Sequence, residues 1–172
     1  MSGHHDTSGR HVPLTREDDS DRLTALLAGA CHARSDPATA ERAVLQALAL
    51  APDNIEALLG AYRFYFYDHR WAEALPLAAE ILVHMARRLN IPTDWNLVRR
   101  DDASFSAAEE APSLYLQALV AWGYCNVRLG RIEEGCQALA KAAELDPRDR
   151  FGAAEVLSVI AESEMADEDD ED

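Results

Sequence analysis

Six histidines and three cysteines are the residues with the most direct claim to catalytic or metal chemistry, and their spacing argues against both. His4, His5, Asp6 and His11 could offer imidazole and carboxylate to a metal, but they match no preferred zinc set. Ordering their polar segment would also cost conformational entropy. Cys31, Cys125 and Cys136 are odd in number, far apart and set in helical patterns, so they read as small core residues and not as a disulfide framework or a CxxC site. His32, His69 and His84 are isolated, and no Gly-rich phosphate loop, HExxH or nucleophile motif occurs. The expectation is a chain that is not an enzyme and carries no metal and no cofactor.

Recognition chemistry is better represented. Tyr62-Arg63-Phe64-Tyr65-Phe66-Tyr67 places five rings and one cation in six consecutive positions of a helical pattern. Six such residues cover most of a helix circumference, so the rings cannot all enter one core. At least two are expected to face a groove, where they would bury apolar anchors of another chain while an arginine meets a carboxylate.

Charge narrows the partner. The 172 residues hold 31 acids against 16 bases, a net charge of -15 that repels phosphate backbones and anionic lipid. Neither nucleic acid nor membrane is expected as a partner. Eight of the last eleven residues are acidic, so residues 165–172 read as a disordered, solubilising tail. No apolar run approaches the roughly 20 residues of a membrane span, and MSGHHDTSGRHVPL has no apolar signal core; the expected location is the cytoplasm.

The elements that must position these residues are helical. Hydrophobic content is 48%, Ala and Leu dominate, and no alternating β-branched run appears. Residues 1–19 read as a flexible arm and residues 20–164 as one domain. Helices are expected from about Asp21 to Arg34 with Ser20 or an Asp as cap, from Ser35-Asp36-Pro37 to Ala51-Pro52, from Asp53-Asn54 through IEALLGAYRFYFYDH, and from Trp71 to about Leu89 with Pro76 able to bend it. After Pro147, Ala153, Val156, Leu157 and Ile160 form one stripe, with Glu155, Ser158 and Glu162 outside it, as in a capping helix.

A repeat ties these helices together. ERAVLQALALAPDN (Glu41 to Asn54) and CQALAKAAELDPRD (Cys136 to Asp149) align with Pro52 on Pro147, and Ala43, Val44, Ala47 and Leu50 fall on Ala138, Leu139, Ala142 and Leu145. Self-similarity of this kind marks units that bury their apolar stripes by stacking. The pattern resembles tetratricopeptide repeats, helix-turn-helix units of about 34 residues. Asp21 to Asn54 carries Leu27-Ala28, Ala40, Val44, Ala47 and Pro52. Leu116 to Asp149 carries Leu119, Trp122-Gly123, Gly130, Glu134-Gly135, Leu139, Lys141-Ala142 and Leu145-Asp146-Pro147. Asn126 departs from the aromatic the family prefers. The middle unit, Ile55 to Arg88, keeps Leu58, Tyr65 and Glu73-Ala74. It has Tyr62 and Ile81 at small sites and lacks the closing proline, which suggests a displaced or extended second helix.

The resemblance implies an all-α fold: a right-handed α-solenoid of three hairpins and a C-terminal cap, seven helices in all. A long loop, about residues 90–111, separates the second and third hairpins. With Trp95, Leu97, Val98, Arg99, Arg100 and Phe105 it is too apolar for a plain linker, so it either folds back as a lid or reaches a partner. In this family the first helix of each pair lines the concave face. That carries Glu56, Leu59, Arg63, Phe66 and Tyr67, with Gln117, Val120, Tyr124, Val127 and Arg128, onto the inner surface, joined by Trp95, Arg99 and Arg100 of the loop. The Lys and Asn of a carboxylate clamp are replaced by Ala25, Gly29, Leu59, Arg63, Val120 and Tyr124.

GAYRFYFYDHRWAEAL, ARRLNIPTDW and AELDPRDRFGA further resemble small repeat proteins found with bacterial nitrogen-fixation functions. The implied role is accessory or protective, with a nitrogenase component or its assembly machinery as partner. In size and layout the chain is also similar to class II chaperones of type III secretion, which would shield a client segment, and a self-associating module would use the same exposed rings.

Overall fold

Asp36 and Asn54 start helices because their side chains accept hydrogen bonds from first-turn N–H groups that a helix leaves free. Asp36 Oδ1 accepts from the Thr39 amide at 3.2 Å; Asn54 Oδ1 accepts from those of Glu56 and Ala57 at 2.8 and 3.2 Å. In the computed structural model, which describes residues 16–33 and 35–169, they open the second and third of seven α-helices. These are α1 (Arg16–His32), α2 (Pro37–Leu50), α3 (Ile55–Tyr67), α4 (Trp71–Leu89), α5 (Glu110–Arg128), α6 (Ile132–Leu145) and α7 (Ala153–Asp169). Short 3-10 turns occupy Trp95–Leu97 and Arg100–Asp102, and no strand occurs among the described residues.

The all-α class and the starts of α2, α3 and α4 follow the sequence reading, but three boundaries differ. The first helix begins at Arg16, inside the expected arm, where Asp18 and Asp19 suit the positive end of the helix dipole. Ser20 is therefore not its cap; its carbonyl accepts from Thr24 Oγ1 at 3.0 Å. The fifth begins at Glu110, inside the expected loop, with Pro112 tolerated in its first turn. The seventh continues to Asp169, into the expected tail, along the helix formers of Ala161 to Ala166. Residues 1–15, including His4, His5, Asp6 and His11, and residues 170–172 lie outside the described residues.

Each helix packs on the next from α1 to α7, and α1 also touches α3. Leu27 of α1 abuts Gly60 of α3, and Leu23 shares an apolar cluster with Ala57, so the two helices run side by side in one direction. The same holds for α3 and α5: Leu59 and Arg63 face Leu114, Gln117 and Ala118 across a crevice, and further along Phe66 meets Tyr124. The crevice floor is Ala78 and Ile81 of α4.

Two connections share one geometry. After α3, His69 takes a left-handed conformation (φ 59) and the Arg70 amide donates to Tyr65 O at 2.9 Å; after α5, Gly130 (φ 81) precedes Arg131, whose amide donates to Asn126 O at 2.9 Å. Both are Schellman turns that satisfy terminal carbonyls and reverse the chain. They make Tyr65 and Asn126 equivalent positions. Tyr65 packs under the Arg70 guanidinium at 4.7 Å, whereas Asn126, fully buried, donates to Trp122 O at 2.9 Å and accepts from Arg131 at 3.3 Å. Small residues set the crossings: Ala61 with Ala74 for α3 and α4, Gly123 with Gly135 for α5 and α6. The longer helix among α2, α4 and α6 is α4, with 19 residues against 14 in each of the other two.

Residues 90–109 fold back as a strap over α5 and α6. Val98 and Phe105 enter the main core with Tyr115, Leu116 and Leu139. Polar tethers fix the strap's backbone: Lys141 donates to Val98 O at 3.2 Å, and Arg150 donates to Ala107 O at 3.0 Å and to Phe105 O. Arg150 also pairs with the buried Asp146 at 3.0 Å. Beyond it Ala153, Val156, Leu157 and Ile160 of α7 cover α6, with Glu155, Ser158 and Glu162 exposed.

Under the strap, Tyr115 is 1% exposed and its hydroxyl has no hydrogen-bond partner among the described residues. Burial, reinforced by the Asp94 carboxylate, pushes its phenol well above the ordinary range. A buried hydroxyl without a partner opposes folding. Tyr115→Phe is therefore expected to raise stability by about 1 kcal/mol in chemical denaturation, whereas a loss would show that the hydroxyl is bonded in solution.

Candidate functional site

The Schellman turn after α3 delivers Trp71 to the side of α5, and a ring cluster forms there. Phe66 is its hub, with ring centroids 5.2 Å from Tyr62, 5.3 Å from Trp71, 5.8 Å from Tyr124 and 6.1 Å from Tyr67. Trp71 and Tyr124 meet nearly edge to face at 5.4 Å, and His69 lies 5.2 Å from Trp71. Such tilted contacts suit the ring quadrupoles and fix each ring against its neighbours. Arg128 lies over the cluster, its guanidinium 5.0 Å from the Trp71 centroid and 5.9 Å from that of Tyr124, and donates to the Tyr124 hydroxyl at 3.1 Å.

The cluster is anchored below and open above. Cys125 is fully buried beneath it with Val44, Ala61, Tyr65 and Ala74, and burial pushes its thiol up to about 11, which leaves little nucleophilic thiolate at neutral pH. Burial, then the proximity of Cys125 and Tyr67, also raises the Tyr62 phenol. Above the cluster Tyr67 is 77% exposed. Next to it the crevice of about 20 Å³ between Leu59, Arg63 and Gln117 is too small for more than about one water, so it is a surface feature and not a substrate pocket. The arrangement offers an aromatic wall of interlocked rings with cations at its edges.

The chain is 41% identical over 126 residues, 72% of its own length and 71% of the relative's, to the uncharacterised 19.8 kDa protein in the nifW 5′ region of Azotobacter chroococcum mcd 1. The chain belongs to that protein's family. No family model and no solved structure matches it.

The structure gathers part of the expected surface and disperses the rest. Phe66, Tyr67, Tyr124 and Arg128 form the cluster, Leu59, Arg63 and Gln117 the crevice, and Glu56 is exposed in the first turn of α3. Val120 packs against the main core. Val127 is turned to α6, where a Cβ on Gly135 would meet its Cγ2 at 2.5 Å, so it does not line the α3–α5 face. Trp95 packs on Trp122 at 5.5 Å, two positions and about 200° around α5 from Tyr124, so the strap and the cluster are separate surfaces. Arg100 donates to Glu144 O at 2.9 and 3.1 Å, and Arg99, exposed, belongs to the same strap. The cysteines also divide: Cys125 is core, Cys31 exposed and Cys136 half-buried, and no disulfide joins them.

Sequence reasoning passed over Trp71 as a site residue, treating it only as the start of a helix. Its signal was its position: a tryptophan separated from an aromatic run by only three turn residues must lie near that run if the chain reverses.

Proposed function

We propose that this chain is a non-enzymatic adaptor of tetratricopeptide type, cytoplasmic, which docks on a folded protein of the nitrogen-fixation apparatus through the α3–α5 face. The observation that carries the reading is the Phe66–Trp71–Tyr124–Arg128 cluster, packed in advance, with Tyr67 projecting from it at 77% exposure. Large amphipathic rings held by their neighbours lose little entropy on binding, and such rings with arginine dominate hot spots. The repeat reading is supported by the parallel course of α1, α3 and α5 and by the shared turns after α3 and α5. The nitrogen-fixation reading is supported by the place of the relative in a nifW 5′ region. A nitrogenase component or a member of its assembly machinery fits that setting.

The test is a pull-down from nitrogen-fixing cells under reducing, oxygen-free conditions, comparing the wild type with a Tyr67→Ala, Arg63→Ala variant. Both changed residues are exposed, so helicity should be unchanged. The expected result is one folded nitrogen-fixation component whose capture falls by about tenfold or more in the variant. Equal capture removes the α3–α5 face from the account. Capture of an unfolded client would point to a chaperone, and mass that rises with concentration in the absence of any partner would point to self-association.

A further inference from the structure

The α3–α5 face carries two arginines that the chain's own acids leave alone. Acids outnumber bases 31 to 16, and Arg70, Arg88, Lys141 and Arg150 each meet a carboxylate. Among the described residues Arg63 and Arg128, both exposed, enter no ion pair, as is true of several other arginines; what sets these two apart is their place beside the aromatic cluster. Arg128 donates one hydrogen bond to Tyr124, and a guanidinium has five N–H donors in a fixed fork. Its stacking on Trp71 holds that fork in place, so a carboxylate arriving from outside costs it little side-chain entropy.

The parallel course of the two helices sets the spacing. Arg63 lies level with residues 118 to 121 of α5, judged from its shared crevice with Ala118 and from the Phe66–Tyr124 contact. That is seven to ten residues before Arg128, about 10–15 Å at 1.5 Å per helical residue. An extended chain covers this in about three or four residues. Between the two cations lies the aromatic wall of Phe66 and Tyr124, overhung by Tyr67.

On the docking reading above, we infer that this face takes an acidic segment with an apolar anchor from its partner protein: one aromatic or large aliphatic side chain on the Phe66–Tyr124 wall, with carboxylates about 10–15 Å apart on Arg63 and Arg128. The net charge of -15 does not oppose this, because screening over about 8 Å leaves local charges in control and eight acids lie in the last eleven residues. Glu56, about 10 Å before Arg63 on the same helix, disfavours a third acid at that end and gives the segment a direction.

The test uses fluorescein-labelled peptides on the full chain, read by anisotropy. One carries Phe with Glu two residues to either side; the other has Lys in place of both Glu. The Glu peptide should bind at least about tenfold tighter, and Arg63→Glu should remove that advantage with helicity unchanged. Arg128→Lys, which keeps charge and loses the stacked fork, should give an intermediate loss. Equal affinity, preference for the Lys peptide or binding of neither would overturn the inference. If Tyr67-dependent capture of a folded partner survives such a result, the acidic segment alone falls and the docking reading stands on its own test. Self-association that the Glu peptide reverses would identify the occupant as a second copy and overturn a foreign partner.

Discussion

Gly135→Ala should lower stability by about 3 kcal/mol, a fall of about 6–12 °C in Tm, the largest loss expected from any single methyl group in this chain. A Cβ at Gly135 would lie 2.6 Å from Gly123 O and 2.9 Å from the Val127 amide nitrogen, in addition to its contact with Val127 Cγ2. Backbone atoms cannot swing aside as a side chain can, so α5 and α6 must separate. That separation would loosen the turn at Asn126 and Arg131 and shift the helix that carries Tyr124 and Arg128. Two glycines serve as controls. At Gly60 the obstacle is Leu27 Cδ2, the end of a flexible side chain, so alanine there should cost less. At Gly29, an exposed helical position, nothing lies within 4 Å, and alanine should add up to about 1 kcal/mol through helix propensity. Thermal denaturation of the three variants checks the order. An unchanged Tm for Gly135→Ala would mean that α5 and α6 do not cross there.

Arg150→Ala should cost about 3 kcal/mol and free the strap, because one side chain holds two structures at once. Its removal takes the hydrogen bonds from Phe105 O and Ala107 O, and leaves the Asp146 carboxylate, 4% exposed, without its cation. The backbone amide of residue 150 still donates to Asp146 Oδ2 at 2.8 Å, so the loss falls at the lower end of the range for a broken buried pair. Arg150→Lys keeps the charge and loses the fork, and should fall between. Chemical denaturation gives the cost, and amide exchange at Val98 and Phe105 shows the release. If exchange there is unchanged in Arg150→Ala, burial of Val98 and Phe105 alone holds the strap.

The ordered strap and the dispersed site show where local pattern stops being informative. Pro52 and Pro147 located the ends of α2 and α6 because a proline breaks the helix ladder wherever it falls, and Asp36 and Asn54 capped helices by the same local logic. The aromatic run announced that rings must leave the core, since circumference is a property of one helix. The partners of those rings depended on two helices at once. Trp71 reaches Tyr124 only because His69 takes a left-handed turn, and nothing about histidine demands that. Val127 lies on the same side of an isolated helix as Tyr124 and Arg128. It was drawn into the α5–α6 contact by the absence of a side chain at Gly135, eight residues further on. Trp95, in a stretch with no helical period, was placed by Trp122 and by tethers from α6 and the α6–α7 connection, all distant in sequence.

The central claim is that the α3–α5 face, and not the strap, meets the partner. Its most direct test is amide hydrogen exchange on the full chain, alone and in complex with the protein recovered by the pull-down. Protection confined to residues 59–67 and 117–128, with the 90–109 strap unchanged, is the result the account predicts. Protection centred on the strap, with α3 and the C-terminal half of α5 exchanging as in the free chain, would contradict it.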